Sequence, residues 1–232
     1  MDKNNKNRRG FTLLELLIVI GIIAILSVVL VLVLNPAETL KKSRDVQRMS
    51  DMATMKTAIG LLVTSSSTPY LAQTSTNCLQ DSGSAAQIFY SFDTSAMTCS
   101  GSPTAGTEAA GTFTQAGDFC TNVTTGSAAV DGTGWLAINF NKLPGGSPIS
   151  SLPLDPTNTI ASPSAPANSD LVYRYACQST STSKPNYVFE MNAKLESSAY
   201  TVDDNRMTKD GGDSTNFYEV GTNLKLLPTT GM

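Results

Sequence analysis

One run of apolar residues, 11–34, limits what this chain can fold into more than any other feature: its 24 residues hold Glu15 as the only charged side chain. At ~1.5 Å per residue, a helix of that length exceeds the ~30 Å hydrocarbon core of a bilayer. The run therefore reads as a membrane span. A secretory signal peptide would have a shorter apolar stretch ending in an Ala-x-Ala site, whereas this one continues to Asn35-Pro36 without such an ending. The segment is expected to stay in the mature protein. The remainder of the chain is rich in Ser, Thr, Gly and Asn with few charges. An anchor carrying an exposed domain is the organisation these contrasts predict.

Charge and residue usage exclude several functions. The formal net charge is -3, yet the first ten residues carry Lys3, Lys6, Arg8 and Arg9 against Asp2 alone. From Thr57 to Asn141 there is no Lys or Arg, so that surface offers phosphates no counter-charge and nucleic acid is not an expected partner. The chain has no histidine, which removes the commonest general base and metal ligand together with every Ser-His or Cys-His pair. No enzyme activity is expected. The four cysteines, Cys78, Cys99, Cys120 and Cys177, are scattered through the distal part without zinc-like spacing. They fit disulfides formed in an oxidising compartment. Three pairings are open; if Cys78 joined Cys99, Cys120 and Cys177 would tie that loop to the later strands.

The span is preceded by a basic stretch ending in Arg8-Arg9-Gly10 and begins Phe11-Thr12-Leu13-Leu14-Glu15. These residues resemble the class III signal of type IV prepilins: a basic leader, a glycine before the cut, a phenylalanine after it and a glutamate at the fifth mature position. The resemblance implies cleavage after Gly10 by a prepilin peptidase and methylation of the new amine on Phe11. It also implies polymerisation of the retained helix into a helical homo-oligomer, assisted by pilus assembly machinery and minor pilins. Four basic residues, Lys41, Lys42, Arg44 and Arg48, follow the span as four precede it, so the positive-inside rule does not orient the chain. The resemblance does, placing the C-terminal domain outside the cytoplasmic membrane. After assembly it would lie in an extracellular pilus or a periplasmic pseudopilus.

Glu15 admits two readings. Thr12 and Glu15 have capping-box spacing, in which the carboxylate satisfies free amides at a helix start. In the prepilin reading, Glu15 of one subunit meets the Phe11 amine of a neighbour and fixes axial register. A contact between Phe11 and Glu15 of the same chain, at i and i+4, is also open.

Beyond the span, Pro36 either kinks one long helix or starts a second. Val46, Met49 and Ala53, then Met52, Met55, Ile59 and Leu62, give a helical period that predicts an amphipathic continuation to about Val63. No aromatic residue lies between Thr12 and Pro69, which argues against a stem that conducts electrons through stacked rings. Residues 70–133 read as a long surface region with apolar patches at 88–92 and Phe113. Strands are expected at 135–140, 171–177, 187–193 and 217–220.

The fold class is thus α+β: a long N-terminal helix packed on a small antiparallel sheet, as in pilins. Its parts are a cleaved leader at 1–10, a membrane and filament-core helix at 11–34, an amphipathic continuation at 35–64 and a disulfide-bearing head at 65–232.

Leu152-Pro153-Leu154-Asp155-Pro156 ahead of Tyr173-Arg174-Tyr175 is similar to the proline-aspartate segment of major pseudopilins in type II secretion. The long 70–133 region departs from that pattern. The loop around Asp210 and Asp213 fits a solvated turn, and its oxygen ligands also suit calcium, which major pseudopilins bind in a C-terminal loop. The expected function is structural, as a pilus subunit. The alternatives are a secretion pseudopilin and a single-span surface protein that binds a ligand. Adhesion, movement and DNA uptake are not distinguished by these residues.

Overall fold

The computed structural model describes residues 10–66, 69–72, 78, 88–91, 128–161, 167–178 and 187–227, with the backbone of 104–109 and 112–116. The chain divides into two compact units, one ending at Lys41 and one beginning at Lys42.

The first unit holds helix α1 (Leu13–Leu34) and the first turns of helix α2 (Pro36–Ser65). Thr12 caps α1 with extended backbone, and its hydroxyl accepts from the Glu15 amide. Many of the α1 residues are Val and Ile, which lose rotamer freedom in a helix and make poor helix formers in water. In a bilayer the backbone has no partner outside the helix, and that preference ceases to matter. None of α1 is buried.

Asn35 ends α1 at φ 38°, ψ 72°, a left-handed conformation that Asn tolerates better than most residues. Pro36 then opens α2 at the position where a missing N–H costs nothing. The amides of Glu38 and Thr39 donate to the Asn35 carbonyl at 3.1 and 3.2 Å, so Asn35 both closes one helix and starts the next.

In the second unit, α2 buries Asp45, Arg48, Met52, Met55, Ile59 and Leu62, a spacing of threes and fours that keeps one stripe facing inward. This corrects the expected stripe at its first half: Val46 is 48% exposed and Ala53 is exposed, while the charged Asp45 and Arg48 take the inward positions. The reason is an ion-pair cluster centred on Arg48.

The sheet runs in the order β1 (Phe89–Tyr90), β4 (Tyr173–Gln178), β5 (Val188–Ala193), β6 (Tyr218–Gly221), all antiparallel. Alternation along β4 sends Tyr173, Tyr175 and Cys177 into the core with Met52, Met55 and Ile59 of α2. Ala176, with Val172 just before the strand, goes to the opposite face, where Tyr90, Val188, Leu226 and Leu227 form a second cluster. Both faces are therefore covered. A separate hairpin pairs β2 (Thr104–Ala109) with β3 (Thr112–Ala116), inside the stretch read as surface.

Three of the four expected strands are present within a residue or two of their predicted limits. The fourth is not: residues 135–140 pass through bends into a short 3-10 turn, Phe140–Lys142, with one isolated bridge between Asp131 and Asn139. Trp135, Leu136, Ile138 and Phe140 are all fully buried, so the apparent alternation was a continuous apolar patch. Trp135 anchors it by donating Nε1–H to the Pro153 carbonyl at 2.9 Å.

Cys78 is bonded to Cys177 of β4, and not to Cys99. Closing a loop of 99 residues stabilises the fold by about 4–5 kcal/mol in the chain-entropy account. Cys99 and Cys120 lie outside the described residues.

Candidate functional site

Gly10 and Phe11 are both exposed. Phe11 is 77% exposed, and a Cβ added to Gly10 would meet nothing within 4 Å. Residues 1–9 lie outside the described residues. Immediately after the junction the capping box closes. Glu15 Oε2 accepts from the Thr12 amide at 2.9 Å and from the Thr12 hydroxyl at 2.8 Å, while the Glu15 amide donates back to Thr12 Oγ1 at 3.2 Å. Within this chain Glu15 is thus a helix cap through Thr12. The site presents an accessible peptide bond, a helix start whose dipole favours a carboxylate, and a fully exposed apolar helix beyond.

The loop at Asp210 is built differently from a cation site. Asp210 Oδ1 accepts from the Gly212 amide at 2.9 Å and Oδ2 from the Glu219 amide at 2.7 Å, so the carboxylate fastens its own turn to β6. Gly211, at φ 91°, supplies the backbone conformation that lets the turn close. Asp213 is exposed. Among the described residues no group of three or more Cys, Asp or Glu side chains is placed to hold a metal ion, and the calcium expectation gains no support here. Next to this turn, Glu190 of β5 is fully buried, and its Oε2 accepts from the Leu226 and Leu227 amides at 2.6 and 2.8 Å. Burial first, and the facing Glu219 carboxyl second, push its pKa well above the ordinary value.

The residues the sequence reading missed are the charges inside the head. Arg48, with no exposed side-chain surface, donates Nε–H and Nη2–H to the two oxygens of Asp155 at 2.7 and 2.9 Å. Its Nη1 donates to Asp45 at 2.8 Å and to Glu196 at 2.7 Å, and Nη2 also reaches Thr157 at 3.2 Å. Asp45 in turn accepts from the amides of Glu196 and Ser197 and from the Ser197 hydroxyl at 2.6 Å. Burial is the largest single influence on Arg48 and opposes its charge, but the bonds and charges of Asp155, Glu196 and Asp45 outweigh it and raise its pKa. For Glu196, burial is again outweighed, here by Arg44 and Arg48, and the carboxyl is held below its usual range.

The proline-aspartate segment therefore works as an anchor for α2: Asp155 lies at 3% exposure in a loop that the flanking prolines stiffen. The signal in the sequence was the spacing of Asp45 and Arg48 in phase with Met52 and Met55. A second tie joins Asp51 of α2 to the Tyr173 hydroxyl at 2.7 Å.

Comparison with curated proteins and with solved structures gives no match. Residues 5–31 match the family described as the prokaryotic N-terminal methylation motif, a stretch that covers the end of the leader, the Gly10-Phe11 junction, Glu15 and most of α1, and stops short of the head. With that motif on an exposed apolar helix, ahead of an α+β head, the chain carries the class III signal that type IV pilins and pseudopilins share.

Proposed function

We propose that the chain is the structural subunit of a type IV pilus-like surface filament, polymerised through α1. The observation that carries this reading is a 22-residue apolar helix with no buried residue, directly behind a methylation-type junction. A helix that is apolar all round requires burial, either in lipid or among other copies of itself. At ~1.5 Å per residue it is long enough for the first. For the second, head-to-tail contact between unlike surfaces that does not close gives a helical filament.

In this reading a prepilin peptidase cuts after Gly10, the amine of Phe11 is methylated, and the subunit waits in the cytoplasmic membrane. Glu15 caps its own helix there. On entry into the filament core it meets the Phe11 amine of a neighbour, because either charge left alone in an apolar core would be heavily penalised. The pair then excludes wrong axial offsets. Assembly machinery and minor pilins supply the extraction from the bilayer.

The Asp155 segment favours a second reading, a secretion pseudopilin, because Leu152-Pro153-Leu154-Asp155-Pro156 ahead of Tyr173-Arg174-Tyr175 resembles the proline-aspartate segment of major pseudopilins. Glu15→Gln tests the filament reading. The amide keeps an oxygen for the helix-start donors and loses the charge, so insertion and cleavage should be normal and filaments few or absent when the variant is the only copy expressed. Wild-type filament numbers by electron microscopy of sheared cells would leave Glu15 as a cap alone. The filaments of the unsubstituted chain, long and released from the surface by shear or short and retained in the periplasm, separate pilus from pseudopilus.

A further inference from the structure

The second unit carries, beside the first residues of its part of α2, an exposed feature that the assembly reading does not use. A π-helical turn, Ala199–Asp203, holds Tyr200 and Val202, and Val202 is 73% exposed, the most exposed large apolar side chain among the described residues of that unit. Lys42 Nζ stands 5.8 Å from the centroid of the Tyr200 ring and the Arg206 guanidinium 5.9 Å. Arg206 and Lys209 both bond Asp204, at 2.7 and 2.6 Å, so with Asp203 the patch has three cations and two carboxylates. The turn is fastened to α2 through Ser197. Ser197, which accepts from the Tyr200 and Thr201 amides, is itself bound to the buried Asp45 of α2.

Chain connectivity sets how far this patch can be from a bilayer. Lys42 lies eight residues beyond Leu34, the end of α1, and all but the first of those eight are helical. With up to ~3.5 Å for each of the two links through Asn35 and ~1.5 Å for each helical residue after Pro36, Lys42 is no more than about 16 Å from the edge of the apolar span, whatever the direction of α2. The headgroup layer occupies roughly 5–8 Å of that distance on each side. Tyrosine with an apolar neighbour, bracketed by Lys and Arg, is the composition that membrane interfaces select: the ring lies at headgroup level and the cations pair with phosphate.

Resting on the proposed anchor role of α1, we propose that the 199–203 turn with Lys42 and Arg206 is a membrane-surface contact of the head. Val202 enters the headgroup layer, and the two cations bind phosphates of anionic phospholipid while the subunit waits in the bilayer. The contact holds the head against the surface, and it is released when α1 leaves for the filament.

The test uses the full chain in nanodiscs of phosphatidylcholine with or without phosphatidylglycerol. In Val202→Trp, bromine on the acyl chains near the headgroups should quench the introduced indole at least twofold when phosphatidylglycerol is present, against the constant emission of the buried Trp135. Adding Lys42→Glu and Arg206→Glu should abolish the quenching while the chain still co-purifies with the disc. In the unsubstituted chain, amide exchange at 199–206 should slow several-fold on adding phosphatidylglycerol.

Unquenched emission together with unchanged exchange, in a chain retained by the disc, overturns the contact. Quenching indifferent to phosphatidylglycerol and to charge reversal overturns phosphate binding. Quenching that appears only with several chains per disc identifies a second copy as the occupant and overturns the lipid assignment. A chain that leaves the disc overturns the anchor reading itself, and so fails distinguishably.

Discussion

Replacing Arg48 with alanine tests whether the head depends on the ion-pair cluster that the inward face of α2 presents. The substitution removes five hydrogen bonds, two of them the fork onto Asp155. Breaking a buried pair from one side costs about 3–5 kcal/mol, because the partner's charge stays behind uncompensated. Here each carboxylate left behind retains donors. Asp155 keeps the Thr157 and Asn158 amides, Asp45 keeps Ser197, and Glu196 keeps Arg44. The low end, about 3 kcal/mol, is therefore expected.

For a head of this size each kcal/mol moves Tm by about 2–4 °C, so Arg48→Ala should melt roughly 6–12 °C lower. The assay is near-UV circular dichroism of the full chain in detergent micelles, where Trp135 and the core tyrosines report tertiary packing. Arg48→Lys should recover only part of the loss, since an ammonium cannot make the two-pronged contact. The gap should narrow in acid. The folded pKa of Glu196 lies below its usual value of 4.5, so its contribution is present above that value and is lost as pH falls through the folded one. A shift of less than about 2 °C for Arg48→Ala at neutral pH would refute the reasoning.

Gly10→Val should leave the head's melting curve unchanged, because an added Cβ meets nothing within 4 Å, while intact-mass analysis shows the leader still attached; efficient cleavage would remove Gly10 from the recognition site. Glu190→Gln should raise Tm at pH 8 and converge with the unsubstituted chain toward pH 4. A carboxyl with a raised folded pKa contributes fully below its unfolded value near 4.5 and loses that contribution as pH rises, so a pH-independent difference would contradict the buried-pair account. Asp210→Ala should lower Tm by an amount that calcium does not alter, since its oxygens serve the Gly212 and Glu219 amides; a loss seen only with calcium present would restore the metal reading.

The apolar helix was legible because its physics is local. A run of apolar residues long enough for a bilayer, a cap at Thr12 and Glu15 and a break at Asn35-Pro36 are each set by neighbours in sequence, and each is found where those neighbours put it. Strands β4, β5 and β6 were legible for a similar reason, their β-branched and aromatic residues being bounded by turn formers. The misreadings fall where tertiary context decides. Residues 135–140 look like an alternating strand, yet every position but Asn139 is wanted in the core, and their backbone bends to deliver the other five. Asp45 and Arg48 look like solvated charges between apolar positions until Asp155, 107 residues from Arg48, supplies the missing half of the pair. Periodicity alone could place those two charges on the inner stripe but could not say what they would meet.

That division bears on how α2 is held. The apolar stripe of Met52, Met55, Ile59 and Leu62 contributes most of the burial, but apolar contact is non-directional and repeats at every turn, so by itself it tolerates a shift of α2 along the head. The Arg48 fork tolerates none: sliding by one turn would carry the buried guanidinium away from both oxygens of Asp155 and from Glu196, and Asp45 away from the Ser197 donors. Asp51 bonded to Tyr173 repeats the constraint one turn later. In the proposed filament every head is carried on its own α2, so a head free to slip would blur the subunit-to-subunit offsets that Glu15 is proposed to set in the core. A buried ion pair that adds little net stability can still be retained for that reason, because it gives the head a single register on the helix that bears it.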